Sequence, residues 1–288
     1  MRTYALPQNA RIGYVHLRVR SLEKELGFYE SLLGFRETER AGDTVYLSAD
    51  GENPVHIILS ENVNTRERVP YTTGLFHLAI RVPNRQELAK MFLRLYENKY
   101  PFHGFADHGV SEALYMADPE GNGVEIYFDR PRDLWPVKNG RLEMVTDPLD
   151  INGLIKELQG ETYVWKGLHP QTDIGHVHLQ VSKLSDARNF YQDTLGMDIM
   201  QDSFPGALFL SAGGYHHHIG VNIWASNGAA PAGSDAAGLI AFGLHIPDTP
   251  ERDVLMKQLE TNHYKIRIQD DRVFTEDRDQ NTIELIFS

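Results

Sequence analysis

The sequence predicts an α+β fold built from four copies of one β-α-β-β-β module. Short alternating apolar segments, each ending in a β-branched residue, recur four times along the 288 residues. An amphipathic helical pattern follows each segment, and several short apolar runs follow each helix. The modules cover about residues 10–62, 73–130, 174–226 and 238–288.

The opening strand of each module is the most regular part of the repeat. Apolar residues alternate with polar or small residues in these segments, as expected of a strand with one buried face. The four strands are predicted at Ile12–Val19, Leu75–Val82, Ile174–Val181 and Leu239–Ile246.

Each opening strand is followed by a helix with recognisable ends. The helices are predicted at Ser21–Leu33, Gln86–Glu97, Ser185–Leu195 and Glu251–Thr261. Ser21 and Ser185 are suitable N-caps, because a serine hydroxyl can accept a hydrogen bond from a free backbone N–H. Gly34 and Gly196 follow the last helical residues, where glycine commonly ends a helix.

Short apolar runs complete each module as strands. Examples are Thr44–Ser48 with Val55–Leu59, and Ala113–Ala117 with Val124–Phe128. The spacing between modules is wider in the middle of the chain, so residues 1–130 form an N-terminal pair and residues 174–288 a C-terminal pair. A linker at 131–173 joins them and carries a predicted helix at Ile151–Leu158.

Composition restricts the function. A net charge of −12 disfavours nucleic acid and anionic lipid as partners. No apolar run is long enough to span a membrane and the N-terminus has no signal pattern, so a cytoplasmic protein is expected. The chain has no cysteine, so a metal would be held by histidine and carboxylate, which suit Fe(II), Mn(II), Ni(II) or Zn(II).

Three consecutive histidines, His216, His217 and His218, are the most unusual local feature. They lie in a run that is predicted to be a strand leaving a glycine turn. Side chains alternate across a strand, so His217 is expected on one face and its two neighbours on the other. The three imidazoles therefore cannot all bind one ion.

Two further motifs carry a family resemblance. They are Asp118-Pro119-Glu120-Gly121-Asn122-Gly123-Val124-Glu125 and the pattern Phe28-Tyr29 to Leu33-Gly34-Phe35. With the four modules, they make the chain resemble the vicinal oxygen chelate superfamily of glyoxalases, bleomycin resistance proteins and dioxygenases, and within it the extradiol catechol 2,3-dioxygenases. The resemblance implies that the modules form paired, cup-shaped mixed sheets.

The resemblance also implies a metal site. Family members place ligands on a His of one opening strand, a His of the partner module's opening strand, and a Glu of that partner's last strand. The ligand positions here are Tyr14, His77, His176 and Ala241, with Glu125 and Glu284 as the last-strand acids. The family usually draws its ligands from modules three and four, but Ala241 cannot bind a metal. The complete set is His77, Glu125 and His176, which requires modules two and three to face each other.

Two alternatives remain open from the sequence. His178 lies two residues after His176 and therefore on the same face of the strand, so it competes for the same role. In a second arrangement, modules one and two pair in sequence order and His16 replaces His176 as the third ligand.

The rest of the implied site consists of an acid-base histidine that does not bind the metal, His217, and two substrate-facing residues, His108 and Tyr115. The implied reaction is Fe(II)-dependent extradiol cleavage of catechol or a substituted catechol, with O₂ as the second substrate and no partner beyond these small molecules. A glyoxalase-type lyase or isomerase and a non-catalytic protein that binds an aromatic or an antibiotic are the alternatives. The sequence allows a homo-oligomer without specifying its size.

Overall fold

The computed structural model describes residues 4–160, 164–247 and 252–287. The elements follow the predicted β-α-β-β-β order four times. In chain order the strands are β1 (Arg11–Val19), β2 (Arg36–Ala41), β3 (Thr44–Ser48), β4 (Ile57–Glu61), β5 (Gly74–Arg81), β6 (Gly104–Asp107), β7 (Ser111–Ala117), β8 (Gly123–Asp129), β9 (Val137–Lys138), β10 (Arg141–Leu142), β11 (Asp173–Gln180), β12 (Asp198–Gln201), β13 (Ala207–Ser211), β14 (Ile219–Asn222), β15 (Gly238–Ile246), β16 (Ile266–Gln269), β17 (Arg272–Glu276) and β18 (Thr282–Phe287).

Within the described ranges, five α-helices lie between these strands. They are α1 (Leu22–Leu26), α2 (Arg85–Glu97), α3 (Ile151–Lys156), α4 (Leu184–Ala187) and α5 (Arg252–Thr261). The first and third modules continue α1 and α4 as π-helical turns at Gly27–Leu32 and Arg188–Thr194. A short 3₁₀ turn, Arg132–Leu134, opens the linker. Among the described residues every helix is too short or too polar to cross a bilayer.

Two sheets of eight strands organise the molecule. Modules two and three form the central sheet, in the order β12-β13-β14-β11-β5-β8-β7-β6. Modules four and one form the terminal sheet, in the order β16-β17-β18-β15-β1-β4-β3-β2. Each sheet thus takes one module from each half of the sequence. The alternative in which modules one and two pair is wrong, because β1 pairs with β15 and β5 pairs with β11.

The opening strands meet at the middle of each sheet. In the central sheet, β5 and β11 run antiparallel, and each has its own module's last strand parallel on its outer side. Their faces toward the helices are apolar and fully buried, as at Leu78, Ile80 and Val177. Burial of such side chains stabilises each sheet by about 1.5–3 kcal/mol per residue, and the polar residues of the strands are left for the opposite, concave face.

Helix boundaries agree with the predictions in most places. The Ser21 hydroxyl accepts a hydrogen bond from Lys24 N and caps α1. Gly34 and Gly196 have φ angles of 91° and 80°, the left-handed conformation that glycine adopts freely where a helix ends. The predicted cap at Ser185 is wrong, because α4 begins one residue earlier and Lys183 takes the cap position without a side-chain hydrogen bond.

Two other helix boundaries are the end of the linker helix and the start of the last helix. The linker helix begins at Ile151 as predicted but ends at Lys156, two residues early. The predicted start of the last helix, Glu251, lies outside the described residues.

Candidate metal centre

The concave face of the central sheet carries the candidate ligands. His77 lies on β5, Glu125 on β8 and His176 on β11, three strands that are adjacent in the sheet. In the strand register, Ala79 lies opposite both Glu125 and His176. Three different strands therefore deliver the ligand side chains to one point, as the ligand set from modules two and three required.

The ligand atoms are close enough to share an ion. Nε2 of His77 and Nε2 of His176 are 3.3 Å apart. Oε2 of Glu125 is 3.0 Å from the first nitrogen and 3.1 Å from the second. Cis ligands at about 2.1 Å from an octahedral ion are separated by about 3 Å, so the three atoms have the spacing of one coordination face.

Burial supports a cation at this position. The three side chains are only 7, 2 and 1 % exposed for His77, Glu125 and His176 respectively. Burial lowers the pKa of His176 to about 4 in spite of the opposing effect of Glu125, so the imidazole is neutral at neutral pH. Burial alone would raise the pKa of Glu125, but His176 and His77 outweigh it and hold that pKa well below its ordinary value. One carboxylate and two imidazoles are a ligand set that suits a divalent ion.

His178 and His16 occupy different places from the ligand set. The His178 imidazole Nε2 accepts a hydrogen bond from Asn222 Nδ2 at 3.0 Å, which occupies that nitrogen. Its ring packs against His77 and Phe76 and lines the same cavity. His16 lies on the terminal sheet, where its Nε2 contacts Ser60 Oγ at 2.8 Å. Among the described residues, the donor cluster contains only His77, Glu125 and His176.

A cavity of about 920 Å³ opens onto this cluster. His77, Glu125, His108, Tyr115 and His217 all line it, so the structure brings five of the six predicted site residues to one cavity, and the sixth, His176, contacts three of them. The remaining wall is largely apolar and includes Phe76, Met116, Val124, Phe209 and Trp224. A pocket of this size with a few convergent polar groups is typical of a small-molecule site.

His108 and Tyr115 form a hydrogen-bonded pair beside the carboxylate. Tyr115 lies directly opposite Glu125 in the register of β7 and β8. His108 Nδ1 lies 2.7 Å from the carbonyl oxygen of Val145, which can only accept, so this nitrogen carries a hydrogen. His108 Nε2 then accepts from the Tyr115 hydroxyl at 2.7 Å. Burial, followed by the charge of Glu125, raises the pKa of Tyr115 well above its ordinary value, so the phenol stays protonated.

The linker contributes to this pair, which the sequence did not indicate. Val145, whose carbonyl positions His108, belongs to the linker, and its neighbour Met144 is held by two backbone hydrogen bonds to the side chain of Gln201. Met144 and Val145 also line the cavity. The linker therefore closes one side of the site and orients one of its histidines.

The histidine triplet differs from its predicted conformation. Strand β14 begins only at Ile219, and the preceding residues form a turn in which Gly213 and Gly214 have φ angles of 62° and 66°. The prediction that His216 and His217 face opposite ways is wrong, because strand alternation does not apply in a turn. Nδ1 of His216 lies 2.8 Å from Nδ1 of His217.

His217 packs against one of the candidate ligands, His176. Its ring centroid is 4.0 Å from that of His176, and the side chain is 8 % exposed. Burial, followed by the charges of the neighbouring histidines, lowers the pKa of His217 well below its ordinary value. His217 is therefore a neutral imidazole that lines the cavity beside the three ligand atoms.

These features define a class of protein. The family model of the glyoxalase/bleomycin resistance protein/dioxygenase superfamily matches residues 11–126 and 173–285, and the chain belongs to that superfamily. The chain is 42 % identical over 268 residues to a catechol-2,3-dioxygenase of Bacillus subtilis, covering 91 % of this chain and 92 % of the relative.

More distant relatives agree with this assignment. A manganese-dependent 2,3-dihydroxybiphenyl 1,2-dioxygenase of Geobacillus genomosp. 3 is 24 % identical, over 74 % of this chain and 64 % of its own length. A crystal structure of a putative dioxygenase from Bacillus subtilis superposes with a TM-score of 0.68 at 13 % identity, covering 99 % of this chain and 86 % of that chain. Glyoxalase I from Zea mays superposes with a TM-score of 0.58 at 15 % identity, covering 97 and 92 %. At such identities these structures show the fold alone.

Proposed function

We propose that this protein is an Fe(II)-dependent extradiol dioxygenase that cleaves catechol or a substituted catechol with O₂. The observation that carries the proposal is the single coordination face of His77, Glu125 and His176, with His217, His108 and Tyr115 around the same cavity. The similarity to the catechol-2,3-dioxygenase over 91 % of the chain supports it.

The three ligand side chains would hold the ion on one face and leave the opposite side toward the cavity. A bound ion would supply Lewis-acid chemistry that brings the diol and O₂ together and makes the diol more acidic. Both atoms of O₂ enter the ring-opened product, a hydroxymuconic semialdehyde, as the carbon–carbon bond beside the diol breaks. The reaction therefore needs no external reductant.

The other polar residues of the cavity would transfer protons and orient the substrate. His217, as a neutral imidazole above the ligand atoms, would accept a proton from one diol hydroxyl and return it as the ring opens. The Tyr115 hydroxyl donates a hydrogen bond to His108, so the phenol oxygen can accept a hydrogen bond from the other diol hydroxyl. Together they would orient the ring toward the cleavage position.

The apolar wall determines where the ring lies. Phe76, Met116 and Trp224 offer flat or flexible apolar surfaces to an aromatic ring. Because the cavity of about 920 Å³ is much larger than one benzene ring, we expect substituted catechols to fit as well as catechol itself.

The glyoxalase alternative is less well supported by the donor set. That chemistry usually uses a second carboxylate ligand, whereas the donor cluster of the described residues contains Glu125 alone. It also has no need of an acid-base histidine at the position of His217.

Anaerobic reconstitution tests the proposal. The full chain is loaded with Fe(II), catechol is added without oxygen, and air is then admitted while the absorbance of a yellow ring-opened product is followed. We expect about one Fe(II) per chain and product in the wild type, with neither in His77→Ala. Tight catechol binding without turnover would instead support a binding protein, and conversion of a thiol hemiacetal with Ni(II) or Zn(II) would support an isomerase.

A further inference from the structure

A buried histidine outside the ligand set connects His217 to a carboxylate. His216 is fully buried, and its Nε2 lies 2.8 Å from Oδ1 of Asp129. Its other nitrogen, Nδ1, faces Nδ1 of His217 at 2.8 Å. Asp129, His216 and His217 therefore form one continuous chain of hydrogen bonds that ends at the cavity.

The direction of this chain follows from Asp129. The other carboxylate oxygen, Oδ2, accepts from Arg81 Nη1 at 3.2 Å and from the Tyr215 hydroxyl at 2.9 Å. Burial would raise the pKa of Asp129, but its hydrogen bonds with His216 and the charge of Arg81 hold that pKa below its ordinary value. An ionised carboxylate can only accept, so His216 Nε2 must carry a hydrogen.

The remaining assignments follow one from another. A His216 ring whose one hydrogen is on Nε2 has a lone pair on Nδ1, so His217 donates to it from its own Nδ1. A neutral His217 with its hydrogen on Nδ1 then has its lone pair on Nε2. Among the described residues, no hydrogen-bond partner engages that Nε2, and His217 lines the cavity.

We propose that Asp129 and His216 are positioning residues that set the tautomer of His217, so that its Nε2 can accept a proton from the substrate. The proposal rests on the proposed function for its consequence but not for its geometry. Fixing a histidine tautomer through a buried carboxylate is a general device of acid-base sites. Here the carboxylate acts through an intervening imidazole.

Asp129→Asn reverses every assignment in the chain. The asparagine oxygen must face Arg81, which can only donate, so its NH₂ group faces Nε2 of His216. His216 Nε2 would then accept, its Nδ1 would carry the hydrogen, and His217 Nδ1 would accept. His217 Nε2 becomes protonated in the neutral ring and can no longer take a proton.

Asp173→Asn is the matched control. Asp173 pairs with the same arginine, accepting from Arg81 Nε at 2.9 Å and from Nη2 at 2.6 Å. Like Asp129→Asn, the control removes one negative charge beside the Arg81 guanidinium. The hydrogen bonds of His216 do not involve Asp173.

Nitrogen NMR of the full chain labelled with ¹⁵N-histidine measures the tautomers directly, with and without diamagnetic Zn(II). Signals of His217 are assigned by their loss in His217→Gln. We expect an unprotonated Nε2 on His217 in the wild type and in Asp173→Asn, and a protonated Nε2 in Asp129→Asn. A protonated Nε2 in the wild type would overturn the proposal, and this result needs no variant to fold.

Activity provides the second measurement. In the Fe(II)-loaded enzyme we expect Asp129→Asn to retain its metal and lower kcat by about 10²- to 10⁴-fold, the range for a lost acid-base group, with Asp173→Asn close to wild type. An unchanged kcat in Asp129→Asn together with a reversed tautomer would show that His217 does not act through Nε2. If no variant or wild type turns over catechol while the tautomers are as expected, the proposed function fails and the assignment of the tautomer stands.

Discussion

The concave faces of the central and terminal sheets share one topology and differ where the ligands would meet. Gly243 lies opposite Glu284 in the terminal sheet as Ala79 lies opposite Glu125 in the central sheet. His16 lies opposite Ala241 as His178 lies opposite His77. The terminal sheet therefore has Tyr14, Ala241 and Glu284 where the central sheet has His176, His77 and Glu125.

In the terminal sheet, the guanidinium of Arg272 contacts two of the residues that correspond to the candidate ligands, Glu284 and Tyr14. Arg272 Nε donates to Glu284 Oε1 at 2.8 Å and its Nη2 donates to the Tyr14 hydroxyl at 3.1 Å, while Tyr14 donates to the same carboxylate. Glu284 is thus a structural ion-pair partner, and the position that corresponds to the ligand His77 is occupied by Ala241, which cannot bind a metal. In the central sheet the carboxylate of Glu125 is available to an ion. In the terminal sheet the corresponding carboxylate, Glu284, is instead paired with the guanidinium of Arg272.

The turn that carries His216, His217 and His218 in the central sheet also differs from its counterpart in the terminal sheet. His56 and His218 correspond, since the carbonyl of each accepts a hydrogen bond from the equivalent residue of its opening strand, Val15 and Val177. The residue before His56 is Val55, where the central sheet has His217. The residue that precedes this shared hydrogen bond is thus a histidine in the central sheet and a valine in the terminal sheet.

The largest effect is expected from removing a ligand of the central site. His176→Ala should abolish stoichiometric Fe(II) binding and lower activity by more than about 100-fold, because losing groups that merely support ligands already costs 10- to 100-fold. Tyr14→Phe at the equivalent terminal position should leave both unchanged. Metal analysis and steady-state kinetics check the pair, and loss of Fe(II) in Tyr14→Phe would contradict the distinction between the two sites.

The second effect concerns the histidine turn. His217→Val, which copies the terminal residue, should keep Fe(II) and slow turnover by about 10²- to 10⁴-fold, since an acid-base group is lost while the ligands stay. Metal content and kcat are the measurements. Wild-type kcat in this variant would remove His217 from the proposed reaction.

The third prediction converts the terminal site. The triple variant combines Tyr14→His, Ala241→His and Arg272→Ala. It would place two imidazoles beside Glu284 and remove the guanidinium. Alanine is chosen at position 272 because Ala113 occupies the corresponding position of the central sheet. We expect the bound divalent metal to rise from about one to about two equivalents per chain. Titration calorimetry with Zn(II) measures it, and a value that stays at one would mean that backbone positions alone do not determine the site.

The smallest effect is expected from Arg272→Ala alone. The Glu284 side chain is only 9 % exposed whereas that of Arg272 is 51 % exposed, so solvent screening limits the loss to about 1–2 kcal/mol of unfolding free energy. Arg40→Ala, which removes an exposed partner of Glu37, should cost about 0.5 kcal/mol or less. Denaturant unfolding of both variants checks the difference.

The pH dependence of Arg272→Ala has a definite sign. Burial would raise the pKa of Glu284, but hydrogen bonds from Arg272 and Tyr14 lower it below its ordinary value. A carboxylate with a lowered pKa stabilises the fold above its unfolded pKa, and this contribution is lost as pH falls. The gap in stability between wild type and variant should therefore be full at pH 7 and shrink below about pH 4.5; a gap that widened in acid would contradict the ion pair.

The ligand set could be predicted because the family resemblance implied which positions of a module carry ligands, and the repeated modules located those positions in this chain. Counting along equivalent strands selected His77 and His176 over His16, and Ala241 excluded the usual pairing of modules. The resemblance also implied the roles of Tyr115 and His108, and the repeated module with its fixed side-chain period gave their places in the sequence.

Other parts of the site depend on contacts between distant segments. The positioning of His108 by Val145 requires the docked linker, and the partner of His216, Asp129, is 87 residues away in sequence. The prediction for the triplet failed because a strand period was applied to a turn. Gly213 and Gly214 could have indicated the turn, because consecutive glycines favour a turn over a continuing strand.

The arrangement of modules also has a consequence for the order of folding. The central sheet uses strands between Gly74 and Asn222, a continuous stretch, whereas the terminal sheet joins β1–β4 to β15–β18 across that whole stretch. Closing the longer loop costs more chain entropy unless the intervening segment is already compact. We therefore expect the sheet with the candidate metal centre to form first and to bring the two ends of the chain together, so that metal capture can precede completion of the second sheet.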